Sequence, residues 1–226
     1  MEGDASPVFR GCIRGCNRFL STFFSWLEEE DYIIKSPMKR IHKVKTAVIV
    51  KDTIPDEKIE ILRDNCNNLR DRAMIDFLLS TGIRVGELVR LNIDDIDFSE
   101  RECVVYGKGD KERKAYFDAK TKIHLLNYIE SRTDNNIALF VSLNKPHSRL
   151  TESGVELRLR EMGKKLGVEK VHPHKVRRTM ATRAIEKGMP IEQVQKILGH
   201  EQIDTTLRYA MVNQNNVKLS HRKYIS

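Results

Sequence analysis

Alternation at a period of two is confined to one stretch of this sequence, residues 93–117, while the segments around it repeat at the period of a helix. Within that stretch, residues 93–98, 103–106 and 114–117 are short and alternating, and G-K-G-D-K-E forms the turn between the last two. They predict a small antiparallel sheet of three strands. So small a sheet cannot bury a core by itself, and helices must supply most of it. The expected class is mainly α with a small antiparallel β-sheet, an α+β arrangement.

The helices show in their apolar spacing and their start and stop residues. Phe19, Phe23 and Trp26 fall at helical spacing over 16–29, with Leu20, Phe24 and Leu27 on an adjoining stripe. So wide an apolar face needs partners, and residues 1–36 are expected to hold only the last helix of a small helical domain, as in a truncated piece. Ser36-Pro37 breaks the pattern. Lys39, Arg40, His42, Lys43 and Lys45 then make residues 37–52 a basic linker, either a solvated tether or a connector that follows a DNA backbone. Residues 53–226 read as one domain. Pro55, Asp56 and Glu57 open a helix whose inward face carries Ile59, Leu62 and Cys66. The next runs over 69–80 with Met74, Phe77 and Leu78 inward, and Gly82 turns the chain. A short helix over 85–90 follows at once, so Arg84 sits at a tight corner. After the sheet come a helix over 119–131, an extended piece at 139–142, and a helix with Val155, Leu159, Met162 and Leu166 on one face, ended by Gly167.

Length and charge narrow the partners. A chain of 226 residues, 40% hydrophobic, can hold one sizeable domain plus a smaller piece, and no apolar run is long enough to span a bilayer. Residues 1–9 lack the basic flank and apolar core of a secretory signal, which points to the cytoplasm. Forty Lys and Arg against 32 Asp and Glu leave a net charge of +8, which suits a polyanion, nucleic acid before an anionic membrane. Cys12, Cys16, Cys66 and Cys103 are scattered, with no Cys or His completing a metal set, and read as free thiols.

The densest chemistry lies over 172–209: H-P-H-K-V-R-R-T-M-A-T, then an amphipathic segment ending I-L-G-H, then T-T-L-R-Y. Arginines, histidines and a tyrosine at this density suit phosphoryl transfer on DNA. Cleaving a phosphodiester without a metal needs an in-line nucleophile, donors for the non-bridging oxygens, and an acid for the leaving alkoxide. Arginine matches phosphate oxygens with its planar fork and stays charged. A tyrosine phenol can attack once its proton is taken.

At these residues the sequence resembles the tyrosine recombinases, the family of phage and transposon integrases and Xer-type enzymes, over roughly residues 51–224. T-G-I-R-V-G-E-L looks like the family's first arginine box and implies Arg84 in the site, with Glu87 supporting it. Y-G-K-G-D-K-E-R looks like the hairpin motif and implies Lys108. H-K-V-R implies His174 and Arg177, L-G-H implies His200, and nine residues later Tyr209 falls where the family keeps its nucleophile. Many relatives carry His after H-K-V-R where this chain has Arg178, which is expected to support the site with an added phosphate contact.

The resemblance implies a recombinase catalytic-domain fold and a reaction through a 3′-phosphotyrosine at Tyr209. In it Arg84 and Arg177 clamp the phosphate, Lys108 protonates the 5′-hydroxyl, His174 relays the tyrosine proton and His200 binds a phosphate oxygen. It implies no cofactor and no metal. It further implies double-stranded DNA as partner, a homotetramer in the synaptic complex with residues 211–226 docking on a neighbouring subunit, accessory DNA-bending or directionality factors, and a bacterial cytoplasmic, nucleoid-associated location. Two rivals share parts of this pattern: a type IB topoisomerase that relaxes one duplex, and a truncated DNA-binding regulator.

Overall fold

The computed structural model describes residues 7–40, 52–107, 112–168 and 170–210, and the chain divides into two compact units, Met1–Val48 and Ile49–Ser226. In the first unit, α1 (Pro7–Glu29) begins well before the helix expected from residue 16. A 3-10 turn, Pro37–Arg40, follows it. Glu28 ties the two, accepting from Lys39 Nζ at 2.5 Å and from the Ser36 amide at 3.2 Å. Phe19, Phe23, Trp26 and Tyr32 are exposed, so the aromatic stripe read from the sequence is present and largely uncovered. Residues 41–51 of the expected basic linker, including His42, Lys43 and Lys45, lie outside the described residues.

The second unit is built around one helix. α2 (Asp56–Asp64) precedes α3 (Leu69–Thr81), whose buried residues run around its whole circumference. Asn68 starts α3 by accepting from the Asp71 amide at 2.8 Å, and Gly82 ends it in the left-handed region at φ +61°. A helix buried on all sides must satisfy its polar residues internally. Asp71 takes Arg70 and Arg158, while Asp76 takes Arg63 Nε and His124 Nδ1, each at 2.5 Å. Phe77 and Met74 are fully enclosed, and Phe77 packs on Phe117 and Phe140.

α4 (Val85–Arg90) leads into the sheet β1 (Ile96–Asp97), β2 (Glu102–Tyr106) and β3 (Glu112–Tyr116), antiparallel in that order. The strand expected over 93–98 is shorter than the alternation suggested. Residues Ile93–Asp95 form a 3-10 turn instead, because Asp95 reaches back to the Asn92 amide at 2.8 Å and closes a capping box. Cys103 pairs with Ala115 and Val105 with Arg113, so these four share a face; Cys103, Val105 and Ala115 are buried on it.

α5 (Ala119–Glu130) packs against α3, capped by Asp118; α6 (Glu152–Lys165) is capped by Thr151. The extended piece at 139–142 makes only an isolated bridge, Val141 with Arg149. α7 (Pro173–Glu186), α8 (Ile191–Leu198) and α9 (Ile203–Ala210) complete the unit, with Met180, Ala181, Val194 and Leu198 forming a second small core. His172 is the N-cap of α7, accepting from the Lys175 amide, a scaffolding role. Among the described residues no helix is long and apolar enough to cross a membrane.

The fold depends most on the α3 packing, which a truncation at Phe77 tests. Phe77→Ala is expected to lower stability by about 3–5 kcal/mol in urea denaturation, whereas the exposed Ile123→Ala should change it by less than about 0.5 kcal/mol.

Candidate active site

Two corners of the second unit converge through their backbone. The first is the α3–α4 turn. Gly82 takes φ +61°, which L side chains rarely adopt, and a Cβ there would also displace the flexible tip of Met180, Cε, 2.0 Å away. Two residues on, Arg84 is the N-cap of α4 and Glu87 is its third residue. The Glu87 carboxylate accepts from the Arg84 amide at 2.8 Å and from Arg84 Nη1 at 2.9 Å. It is 3% exposed, so its charge is almost wholly removed from water.

The second corner is the end of α8, where Gly199 takes φ +61°. Helix ends present carbonyls without intrahelical partners, and here arginines take them. Arg177, from α7, donates through Nη1 to the Gly82 carbonyl and through Nη2 to the Leu198 carbonyl. Arg84 Nη2 donates to the next carbonyl, Gly199, at 3.1 Å. Two cations 93 residues apart in sequence are thus anchored on consecutive carbonyls. They differ in access: Arg177 is 5% exposed, whereas the Arg84 side chain is 39% exposed.

His200 follows directly. Its Nδ1 lies 2.9 Å from Thr206 Oγ1, and Gln195 Nε2 donates to its carbonyl at 3.0 Å. Burial first, then the charges of Arg177, Arg84 and Arg113, push its imidazole down to about 4, so it is neutral near pH 7. A neutral imidazole can donate a hydrogen bond without adding another charge to a crowded cationic site.

Arg113 is the residue that sequence reading left without a role. It belongs to the quoted K-E-R, yet its signal is a strand phase rather than a motif. It lies one strand repeat before the buried Ala115, so it faces inward. Its Nη2 donates to Glu87 at 2.5 Å.

The other expected residues fall as follows. His174 is exposed in the first turn of α7, with its ring 6.4 Å from that of His172. Arg178 donates from Nε to the Asp52 carbonyl at 2.9 Å, holding the segment that enters α2. Tyr209 belongs to α9, which packs on α7 and α8, but its side chain lies outside the described set, as does the whole of Lys108.

Known proteins share this architecture. The sequence pattern of the phage integrase family matches residues 53–216. The tyrosine recombinase XerC of Staphylococcus aureus (strain JH9) is 34% identical over 88% of this chain and 70% of its own length. That of Oceanobacillus iheyensis is 33% identical over 93% of this chain and 74% of its own. Among solved structures, XerA recombinase superposes with a TM-score of 0.69 at 28% identity, covering 91% of this chain and 74% of that one. The Tn1549 transposon integrase, solved with a circular intermediate DNA, shares the fold at a TM-score of 0.75 and 20% identity, covering 96% and 79%. The chain belongs to the phage integrase family and is a tyrosine-type site-specific recombinase.

The depressed His200 has a consequence for stability. Because it is neutral in the fold, its contribution is complete above the ordinary imidazole value of 6.5 and is lost as pH falls from 6.5 toward 4, where only the unfolded chain takes the proton. His200→Asn should therefore flatten the fall of urea stability across that window relative to the parent. Parallel pH profiles would contradict this assignment.

Proposed function

We propose that this recombinase cleaves and rejoins double-stranded DNA through a covalent 3′-phosphotyrosine at Tyr209. The observation that carries the reading is the anchoring of Arg84 and Arg177 on the adjacent carbonyls of Gly199 and Leu198, immediately before His200. That arrangement holds two guanidinium groups and a neutral donor together before any substrate arrives. Preorganised donors of this kind stabilise charge that develops in a transition state, without reorganisation at the moment of reaction.

In the proposed step the Tyr209 phenolic oxygen attacks the scissile phosphorus. A new P–O bond forms, and the bond to the 5′-oxygen breaks. His174 takes the phenolic proton, and Lys108 gives a proton to the departing 5′-oxygen. Arg84 and Arg177 neutralise the non-bridging oxygens, and His200 donates a hydrogen bond to one of them. Attack by a 5′-hydroxyl on the phosphotyrosine reverses the step, so the bond energy is kept and no cofactor or metal is consumed. Glu87 holds Arg84, and Arg178 steadies the entry to α2 beside the phosphate path.

The organisation proposed with it is a core-binding helix over 1–36, a basic linker over 37–52, and a catalytic domain over 53–226. The +8 net charge supports a DNA partner. Assembly as a tetramer on paired sites, with residues 211–226 docking on a neighbour, and a cytoplasmic, nucleoid-associated location follow from the family reading, as do accessory bending or directionality factors.

The test is a trapped cleavage reaction. A duplex selected from a randomised pool by its binding to this protein is nicked so that the cleaved strand diffuses away, and is incubated with the full chain in chelator. A covalent protein–DNA adduct is expected, absent in Tyr209→Phe and retained in Tyr224→Phe. Arg84→Ala should slow it about 10²–10³-fold. An adduct persisting in Tyr209→Phe, or a requirement for a divalent metal, would sink the mechanism.

A further inference from the structure

Arg113 occupies an unusual position for an arginine. Its side chain is 12% exposed on the inward face of β3, opposite Val105. Nη2 reaches Glu87, yet among the described residues neither Nε nor Nη1 finds an acceptor, and both are buried. Orphan buried donors disfavour folding, and a buried ion pair often stabilises a fold no more than well-packed apolar side chains in both places would. Stability alone does not account for this side chain.

Its surroundings do. Arg113 lies against the carbonyl turn that anchors Arg84: a Cβ at Gly199 would fall 2.7 Å from Arg113 Nε. Glu87 is shared, one oxygen facing Arg84 Nη1 and the other taking both the Arg84 amide and Arg113 Nη2. The charges then matter. Arg84 and Arg177 against Glu87 leave one net positive charge. A phosphodiester carries one negative charge, and attack by a phenolate makes it a dianion. With Arg113 present, the described cluster has two net positive charges to meet it. Burial lowers the Arg113 pKa, with Glu87 pulling it back up and Arg84 lowering it further, as expected for a cation held beside a carboxylate and a second guanidinium.

We propose that Arg113 is a positioning residue for strand cleavage: it fixes and neutralises the buried Glu87 carboxylate, so that Glu87 aims Arg84 without cancelling its charge. Arg113 acts through Glu87 and does not touch the phosphate. It also joins β3, the strand that follows Lys108 in sequence, to the start of α4. This assignment rests on the cleavage reaction proposed above.

The experiment uses the full chain and the same selected, nicked duplex, and reads the single-turnover rate of adduct formation at saturating protein alongside the affinity for the duplex. Arg113→Met should slow adduct formation by about 10–100-fold, the scale of losing a partner that orients a reacting group. Duplex affinity and the melting temperature should change far less. The decisive readout is coupling with Glu87→Gln. Once the carboxylate is neutral, Arg113→Met should cost little more, so the double variant should react about as fast as Glu87→Gln alone. Should Arg113→Met fail to fold, Arg113→Lys carries the same cycle: it keeps the charge without the fork, and its smaller loss should also vanish in the Glu87→Gln background.

An unchanged rate in Arg113→Met, or losses that multiply in the double variant, would overturn the assignment. A rate loss matched by lost duplex affinity would overturn it as well, in favour of direct phosphate binding. If the parent chain forms no adduct at all, the cleavage reading fails and this one fails with it. An adduct in the parent with indifferent Arg113 variants removes this inference alone.

Discussion

The buried guanidinium of Arg177 is the interaction on which the arrangement of the site depends. It donates to the Gly82 carbonyl at the end of α3 and to the Leu198 carbonyl at the end of α8. Both carbonyls belong to helix ends that turn through left-handed glycines, so neither has a helical partner of its own. One side chain thus closes two orphaned helix termini and fixes the distance between them. Arg84 follows one turn and Gly199 the other, and their hydrogen bond completes the clamp.

Electrostatics then determine the state in which this clamp waits. Arg84, Arg113 and Arg177 surround His200, and their combined field, added to burial, keeps that imidazole neutral. Only Glu87 opposes them among the described side chains bonded to Arg84 and Arg113. Like charges held together in a half-buried site raise the free energy of the folded protein, and the phosphate proposed to bind there would relieve it. The preorganisation that the proposed transition state calls for is therefore the same feature that stability alone would disfavour.

Much of this was legible in the sequence where the determinants are local. α3 shows its end in Gly82, and the Arg84 corner follows from the immediate restart of a helix at Val85. The motifs around Arg84, His174, Arg177 and His200 carried the family. The strand expected over 93–98 went astray because alternation does not register a side chain folding back, as Asp95 does onto the Asn92 amide. Arg113 escaped because its environment is assembled from residues 26 and 86 positions away, Glu87 and Gly199. No window of sequence contains that contact. The same holds for the carbonyls of Leu198 and Gly199, which any residue could supply and which therefore leave no mark on side-chain pattern.

On this geometry the arginine pair is set in the folded protein before DNA arrives. Hydrogen–deuterium exchange on the free Arg177→Met chain tests it most directly. Exchange in α8, Ile191–Leu198, and at the Gly82 turn should accelerate by about ten-fold or more, as the loss of bonds worth ~1 kcal/mol each requires, while α5, Ala119–Glu130, keeps its protection. Unchanged protection in α8 would contradict the account, because the two helix ends would then be held together by something other than Arg177.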